Sequence, residues 1–262
     1  NGFPLLPLPY PARSGETLLL HENRLWELTR WLPGTADYRL AHSSVKLQAA
    51  FEALGRCHLA LAGFEPRPAA PSPGLARRRE QLAELLAGEV AELRAAVNAM
   101  DRRAAQIASP SVFVRFLDAL SAAGPQLLRE LNYGCSLAVP LQACLRDIWH
   151  EHVLFEVERV TGLLDTGAMR VETVAGDIAR LMGSMCEDVP EDRRAALAAY
   201  RRIRPLSENE EALIPLFDRS GLLLGACNWI SWLLIERRTF PVAAVQARLD
   251  YFTRRLSAGT GN

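Results

Sequence analysis

The chain has 262 residues, 49% of them apolar, and a formal net charge of zero. That allows one large domain or two small ones around a sizeable core, and gives bulk electrostatics no pull toward nucleic acid or an anionic membrane. Its five cysteines, Cys57, Cys135, Cys144, Cys186 and Cys227, are scattered and form no Cys-x-x-Cys pair, which argues against a disulfide framework or a zinc site and for free thiols in a reducing cytoplasm.

The N-terminal stretch is Pro-rich and lacks the basic segment and apolar run of a signal peptide. Thr17–Leu20 and Leu25–Arg30 are short runs separated by the polar stretch His21 to Arg24, which predicts a hairpin. Trp31-Leu32-Pro33-Gly34 then breaks the strand and marks a connector. From Ser43 or Ser44, either of which can N-cap, a helix carries Val45, Leu47, Phe51, Leu54, Leu59 and Leu61 to about Gly63. Pro66 to Gly74 is a Pro-rich loop. One long amphipathic helix is expected from Leu75 to Gln106, and another from Ser111 to Asn132 with a break at Gly124-Pro125.

The centre, Leu141–Leu164, reads as β-rich. Helices are expected again over Asp177–Met185 and Glu191–Arg201. Ser207 with Glu210 three residues on is a capping-box pattern that opens a long helix running toward Glu236. Within it, Leu222 to Ile235 is strongly apolar but contains Asn228 and is too short to span a bilayer. Pro241 suits the first turn of a last helix ending near Leu256.

The chemistry concentrates between Leu145 and Met169. Leu145-Arg146-Asp147 is followed by Ile148-Trp149-His150-Glu151 and then by the strand His152-Val153-Leu154-Phe155. A second strand, Arg159 to Leu163, leads into Leu164-Asp165-Thr166-Gly167, and Thr173 to Ala179 carries Asp177 into a helix. On these residues the chain resembles the aminoglycoside phosphotransferase family, and the resemblance covers most of its length. It implies an α+β, protein-kinase-like fold: residues 1–33 a truncated β small lobe and hinge, residues 34–262 a mostly helical large lobe with an embedded catalytic β-hairpin. It also implies an ATP-dependent phosphotransferase acting on a hydroxyl of a small molecule. In that reading Asp147 is the base or hydroxyl-orienting group, Asp165 the Mg²⁺ ligand, Trp31, Leu32 and Pro33 the nucleotide hinge, and Asp177 with Arg146 the support of the catalytic loop.

The chain departs from the family pattern in three places. His152 stands where the family has a metal-binding Asn, and an imidazole favours Mn²⁺ over Mg²⁺. Leu145 replaces the family's His. No Gly-rich loop precedes the hinge, and Lys46, the one lysine, follows it. The phosphate-gripping piece is therefore expected upstream of Asn1, which is not a Met. These departures keep open a non-catalytic, pseudokinase-like protein that binds a ligand or partner. A third reading is a metal-dependent enzyme built on His150 and His152 as a His-x-His pair on one strand face.

Blander roles stand beside each assignment. Asp147 and Asp165 could be acids that cap strand ends, and Asp177 the N-cap of its helix. Trp149, Trp31 and the Trp229/Trp232 pair could serve packing alone. Arg77-Arg78-Arg79 and Glu208 to Glu211 read as solvated helix surface, with no aromatic interleaving to suggest nucleic acid.

Overall fold

The computed structural model describes residues 3–64 and 67–258. The expectations attached to Asn1, and to Pro66 at the head of the Pro-rich loop, lie outside them. The chain forms two compact units, Asn1–Arg67 with Leu141–Leu206 and Pro68–Pro140 with Ser207–Asn262. The sequence-expected boundary after residue 33 falls inside the first unit.

The first unit opens with a hairpin of β1 (Leu19–His21) and β2 (Arg24–Trp26). His21 pairs with Arg24, so the turn is only Glu22-Asn23, both at positive φ. Two left-handed residues make the type I′ turn whose twist matches the strands, and that tightens the turn from the four residues expected. Gly34 holds φ +101°, and a Cβ there would lie 2.4 Å from Thr161 Oγ1. The adjacent Thr35 pairs with Phe155. Helix α1 (Ser44–Leu61) is capped by Ser43, whose hydroxyl accepts from the Lys46 N–H.

In the second unit, after the short strand β3 (Arg67–Ala70), the single long helix expected from Leu75 to Gln106 is three pieces. α2 (Pro73–Glu84) passes through a π turn at Leu85–Glu89 into α3 (Val90–Asn98), and α4 (Arg102–Ala105) follows. Gly88 departs from helical angles in the π turn, and the Asp101 carboxylate caps α4 by accepting from Ala104 N–H. The low helix propensity of glycine and a side chain that competes for backbone donors are the physical reasons for the breaks. The opposite correction applies to α5 (Pro110–Gly134), which runs unbroken through Gly124-Pro125. Proline there forfeits one helical hydrogen bond, and the missing Cβ of Gly124 admits Leu86 to 3.0 Å of that position.

The chain returns to the first unit along β4 (Val139–Cys144), then β5 (Val153–Glu156), β6 (Arg159–Leu163) and β7 (Arg170–Glu172). β5 and β6 form an antiparallel hairpin with a bulge at Leu154/Phe155, and Gln142 to Cys144 pair antiparallel with Arg170 to Glu172. α6 (Ala175–Met185) and α7 (Pro190–Ile203) complete the unit. Its core includes Tyr38, Leu47, Phe51, Leu54, Leu145 and Tyr200.

The second unit closes with α8 (Glu208–Ile230), a π turn over Ser231–Ile235, and α9 (Val242–Ala258). The capping box is present: Ser207 accepts from Glu210 N–H and Glu210 accepts from Ser207 N–H. Leu75, Leu82, Phe113, Phe116, Leu120 and Leu131 form the core of this unit. Among the described residues, no helix is long and apolar enough to cross a membrane. Helices with small antiparallel sheets make the fold α+β.

Candidate active site

Asp177 organises the loop between β4 and β5. The helix begins at Ala175 with Val174 as its N-cap, so Asp177 lies inside the first turn and is not the N-cap. It is fully buried, and its two oxygens accept from consecutive backbone N–H groups, Leu145 at 2.7 Å and Arg146 at 2.6 Å. His58 on α1 reaches the same carboxylate at 3.1 Å through Nε2, while its Nδ1 meets Tyr200 Oη at 2.8 Å. The His58 carbonyl in turn accepts from the Gln142 side chain. A buried carboxylate persists only with such partners.

His58, Cys144 and Asp177 bring donor atoms within 4.8 Å of one another. The His58 and Asp177 atoms are engaged in the hydrogen bonds above, and Cys144 Sγ contacts the Glu172 carbonyl. The cluster is therefore an anchor for the loop rather than a metal centre. Burial, with the Asp177 charge second, pushes the neighbouring Cys57 thiol up to about 12, so it is inert as a nucleophile.

Arg146 holds φ 68°, a left-handed angle unusual for a residue with a Cβ. Its contribution to the loop is its backbone N–H on Asp177, for the side chain is exposed. Asp147 follows, half-buried. Its Oδ1 accepts from Trp149 Nε1 at 3.0 Å and from Arg180 Nε at 3.0 Å, and also from Arg180 Nη2. The Arg180 guanidinium lies over the Trp149 ring, 4.1 Å from its centroid. Burial acts to raise the Asp147 pKa, but the Arg180 charge, the Arg180 and Trp149 hydrogen bonds and His152 together outweigh it. They hold the carboxyl below the usual carboxylate range. The sequence reading missed both Arg180 and His58. Arg180 sits three residues after Asp177 on α6, a spacing that shares a helix face and could have flagged it.

Asp165 ends the β6 side of the hairpin in a left-handed conformation, φ 60° and ψ 63°. His152 reaches toward it from the start of β5: Nε2 lies 3.7 Å from Asp165 Oδ2, and Nδ1 lies 2.7 Å from the Asp147 backbone carbonyl. Asp147, His152 and Asp165 are thus linked through one imidazole. A carboxylate oxygen beside an imidazole nitrogen, both partly open to solvent, is a donor set suited to a divalent cation.

His150 does not join them. His150–His152 is a 3-10 turn, not a strand, and such a turn sends the two rings in different directions. His150 is buried, and its N–H donates to Ser184 Oγ. The expected strand-face His-x-His pair is thereby overturned. Leu145 is core, and no imidazole occupies its place.

In the connector, Trp31 is 92% exposed, while Leu32 is buried. Leu32 packs on Gly162, where a Cβ would lie 2.8 Å from its Cδ1. The Pro33 carbonyl accepts from Thr161 Oγ1 at 2.6 Å.

A model described as the phosphotransferase enzyme family, APH, matches residues 2–213. A homoserine kinase of Gluconobacter oxydans is 26% identical over 241 residues, covering 86% of this chain and 66% of its own. A homoserine kinase of Polaromonas naphthalenivorans is 30% identical over 108 residues, 36% of this chain and 34% of its own. The chain therefore spans less than two thirds of the length of these curated relatives. Among solved structures, an amicoumacin kinase in complex with AMP-PNP, Ca²⁺ and amicoumacin covers 97% of this chain and 72% of its own, with TM-score 0.58 and 14% identity. At that identity the likeness speaks for the fold, which is protein-kinase-like.

Proposed function

We propose, since the chain belongs to the phosphotransferase enzyme family, that it transfers the γ-phosphoryl group of ATP to a hydroxyl of a small molecule. The observation that carries this reading is the linkage of Asp147 to Asp165 through His152, one ring nitrogen on the Asp147 carbonyl and the other facing the Asp165 carboxylate. Asp147 orients the acceptor hydroxyl and takes its proton. Its bonds to Arg180 and Trp149 all fall on Oδ1, which directs Oδ2 to that task. Asp165 and His152 would hold a dication, Mg²⁺ or Mn²⁺, which when bound would neutralise charge on the phosphates. Asp177 holds the loop by its backbone, and a low Asp147 pKa is compatible with a reaction in which positioning outweighs base strength.

Residues 1–33 are read as the remnant of the small lobe, with Trp31, Leu32 and Pro33 at the nucleotide hinge and the exposed Trp31 ring the part open to an adenine. The curated relatives are named homoserine kinases, which supports an amino alcohol as acceptor and a cytoplasmic setting where ATP is abundant. A second reading, a non-catalytic relative that binds nucleotide or a partner, is favoured by the Arg180 clamp on Asp147 and by Leu145 in place of the family's His.

Incubation with radiolabelled ATP, either dication, and homoserine, choline or an aminoglycoside separates the two. Transfer to an acceptor is expected, with Asp147→Asn reducing it by roughly 10²–10⁴-fold. Stabilisation by ATP and metal without transfer supports the binding protein, and neither stabilisation nor transfer contradicts both nucleotide-dependent readings.

A further inference from the structure

We infer that Arg180, stacked on Trp149, is a positioning residue for phosphoryl transfer, and that it acts through the planar shape of its guanidinium and not through its charge alone. It pins one oxygen of Asp147 so that the other meets the acceptor hydroxyl. The inference deepens the phosphotransferase reading and rests on it. The donors on Asp147 converge on Oδ1: Trp149 Nε1 at 3.0 Å, Arg180 Nε at 3.0 Å, and Arg180 Nη2. The Asp147 side chain is still 40% exposed, so an acceptor has an open approach to it. A free aspartate carboxyl turns broadly about its last torsion, and its two oxygens exchange roles. Donors gathered on one oxygen stop that turning. The clamp therefore serves transfer and does not block it, because it occupies one oxygen only.

The clamp is itself braced. The guanidinium lies 4.1 Å from the Trp149 ring centroid, and the ring is buried. A stacked guanidinium presents its N–H groups in a plane set by the ring beneath it. Asp177 shares the helix face of Arg180 on α6 and accepts from the backbone N–H groups of Leu145 and Arg146. One helix thus grips the loop twice, by the main chain just before Asp147 and by the side chain of Asp147 itself. A lysine would keep the positive charge, but an ammonium is a point charge that neither lies flat on the indole nor donates from two nitrogens in one plane. An ion pair that served only surface stability would need neither feature.

The test is steady-state kinetics of transfer from ATP, with whichever of homoserine, choline or an aminoglycoside the wild type phosphorylates. Arg180→Ala and Arg180→Lys should each lower kcat about tenfold or more, since misplacing a reacting group is costly. KM for ATP and for the acceptor should stay within about twofold, because the pinned oxygen acts on the transition state. Arg180→Lys keeps the stem and the charge, and it carries the test should the alanine variant fail to fold. In an Asp147→Ala background, removing Arg180 should cost nothing further, as expected of a residue that works through Asp147. An unchanged kcat in Arg180→Ala, wild-type kcat in Arg180→Lys, or an equal loss in the Asp147→Ala background overturns the inference and leaves the phosphotransferase reading standing. A wild type that transfers to none of these acceptors with either dication contradicts that reading, and the inference falls with it.

Discussion

Arg146 holds φ 68° in the loop that presents Asp147, and a Cβ makes that conformation costly by about 1–2 kcal/mol. Arg146→Gly should relieve the strain at some cost in chain entropy and stabilise the protein by about 0.5–1 kcal/mol, seen as a higher denaturant midpoint with an unchanged slope. Asp177→Asn keeps the size but removes the charge and one acceptor oxygen from the two N–H groups and His58. A loss of about 2–5 kcal/mol follows, measurable by the same melt.

The Arg180–Asp147 pair predicts a pH dependence of defined sign. The folded Asp147 pKa is depressed, so its contribution to stability is present above the unfolded value near ~4 and is lost as pH falls through the folded one. The pair is partly exposed, which keeps that contribution small. Arg180→Gln should raise the Asp147 pKa in a carbon-13 carboxyl titration, and should cost more stability at pH 7 than at pH 3. Asp147, Asp165 and Asp177 were legible because their flanking residues are contiguous in the chain. His58 was not: it reaches Asp177 across 119 residues, a meeting that no local pattern encodes, whereas Arg180 was signalled only by its shared helix face with Asp177.

At the scale of elements, the hairpin of β5 and β6 carries His152 just before its first strand and Asp165 just after its second, so both stand at its open end, where Val153 pairs with Leu163. Its neighbour is the turn at Gly34, whose missing Cβ makes room for Thr161 Oγ1 and for the Phe155 carbonyl. Gly34→Ala combines a positive φ with contacts too close for any Cβ, and should destabilise by about 2 kcal/mol or more. Thermal unfolding measures the loss, and a change below about 0.5 kcal/mol would show that the turn is not the clamp it appears in the geometry. Caps were the readable part of the elements. Ser43, Ser207 and Glu210 bond as their residue types dictate. The breaks near Gly88 and Asp101, and the continuity of α5 through Pro125, were unreadable because hydrophobic periodicity persists across all three.

At the scale of the whole molecule, each compact unit is assembled from two separated stretches of chain. Composition predicted a sizeable core and the family resemblance implied an α+β class, but the partition depends on contacts between distant segments, which sequence periodicity does not record. The residues of the candidate site all come from one unit: α1 supplies His58, the loop after β4 supplies Asp147, the turns beside β5 and β6 supply His152 and Asp165, and α6 supplies Asp177 and Arg180. The proposed phosphoryl transfer draws on both acids standing in one unit, joined through the His152 ring. Phosphorus-31 magnetic resonance of ATP mixed with the protein, Mn²⁺ and homoserine or another small alcohol tests this most directly. The account predicts decay of the γ-phosphate signal with growth of a phosphomonoester signal, both abolished in Asp165→Ala. No phosphomonoester with any acceptor and either dication, or an undiminished rate in Asp165→Ala, would contradict it.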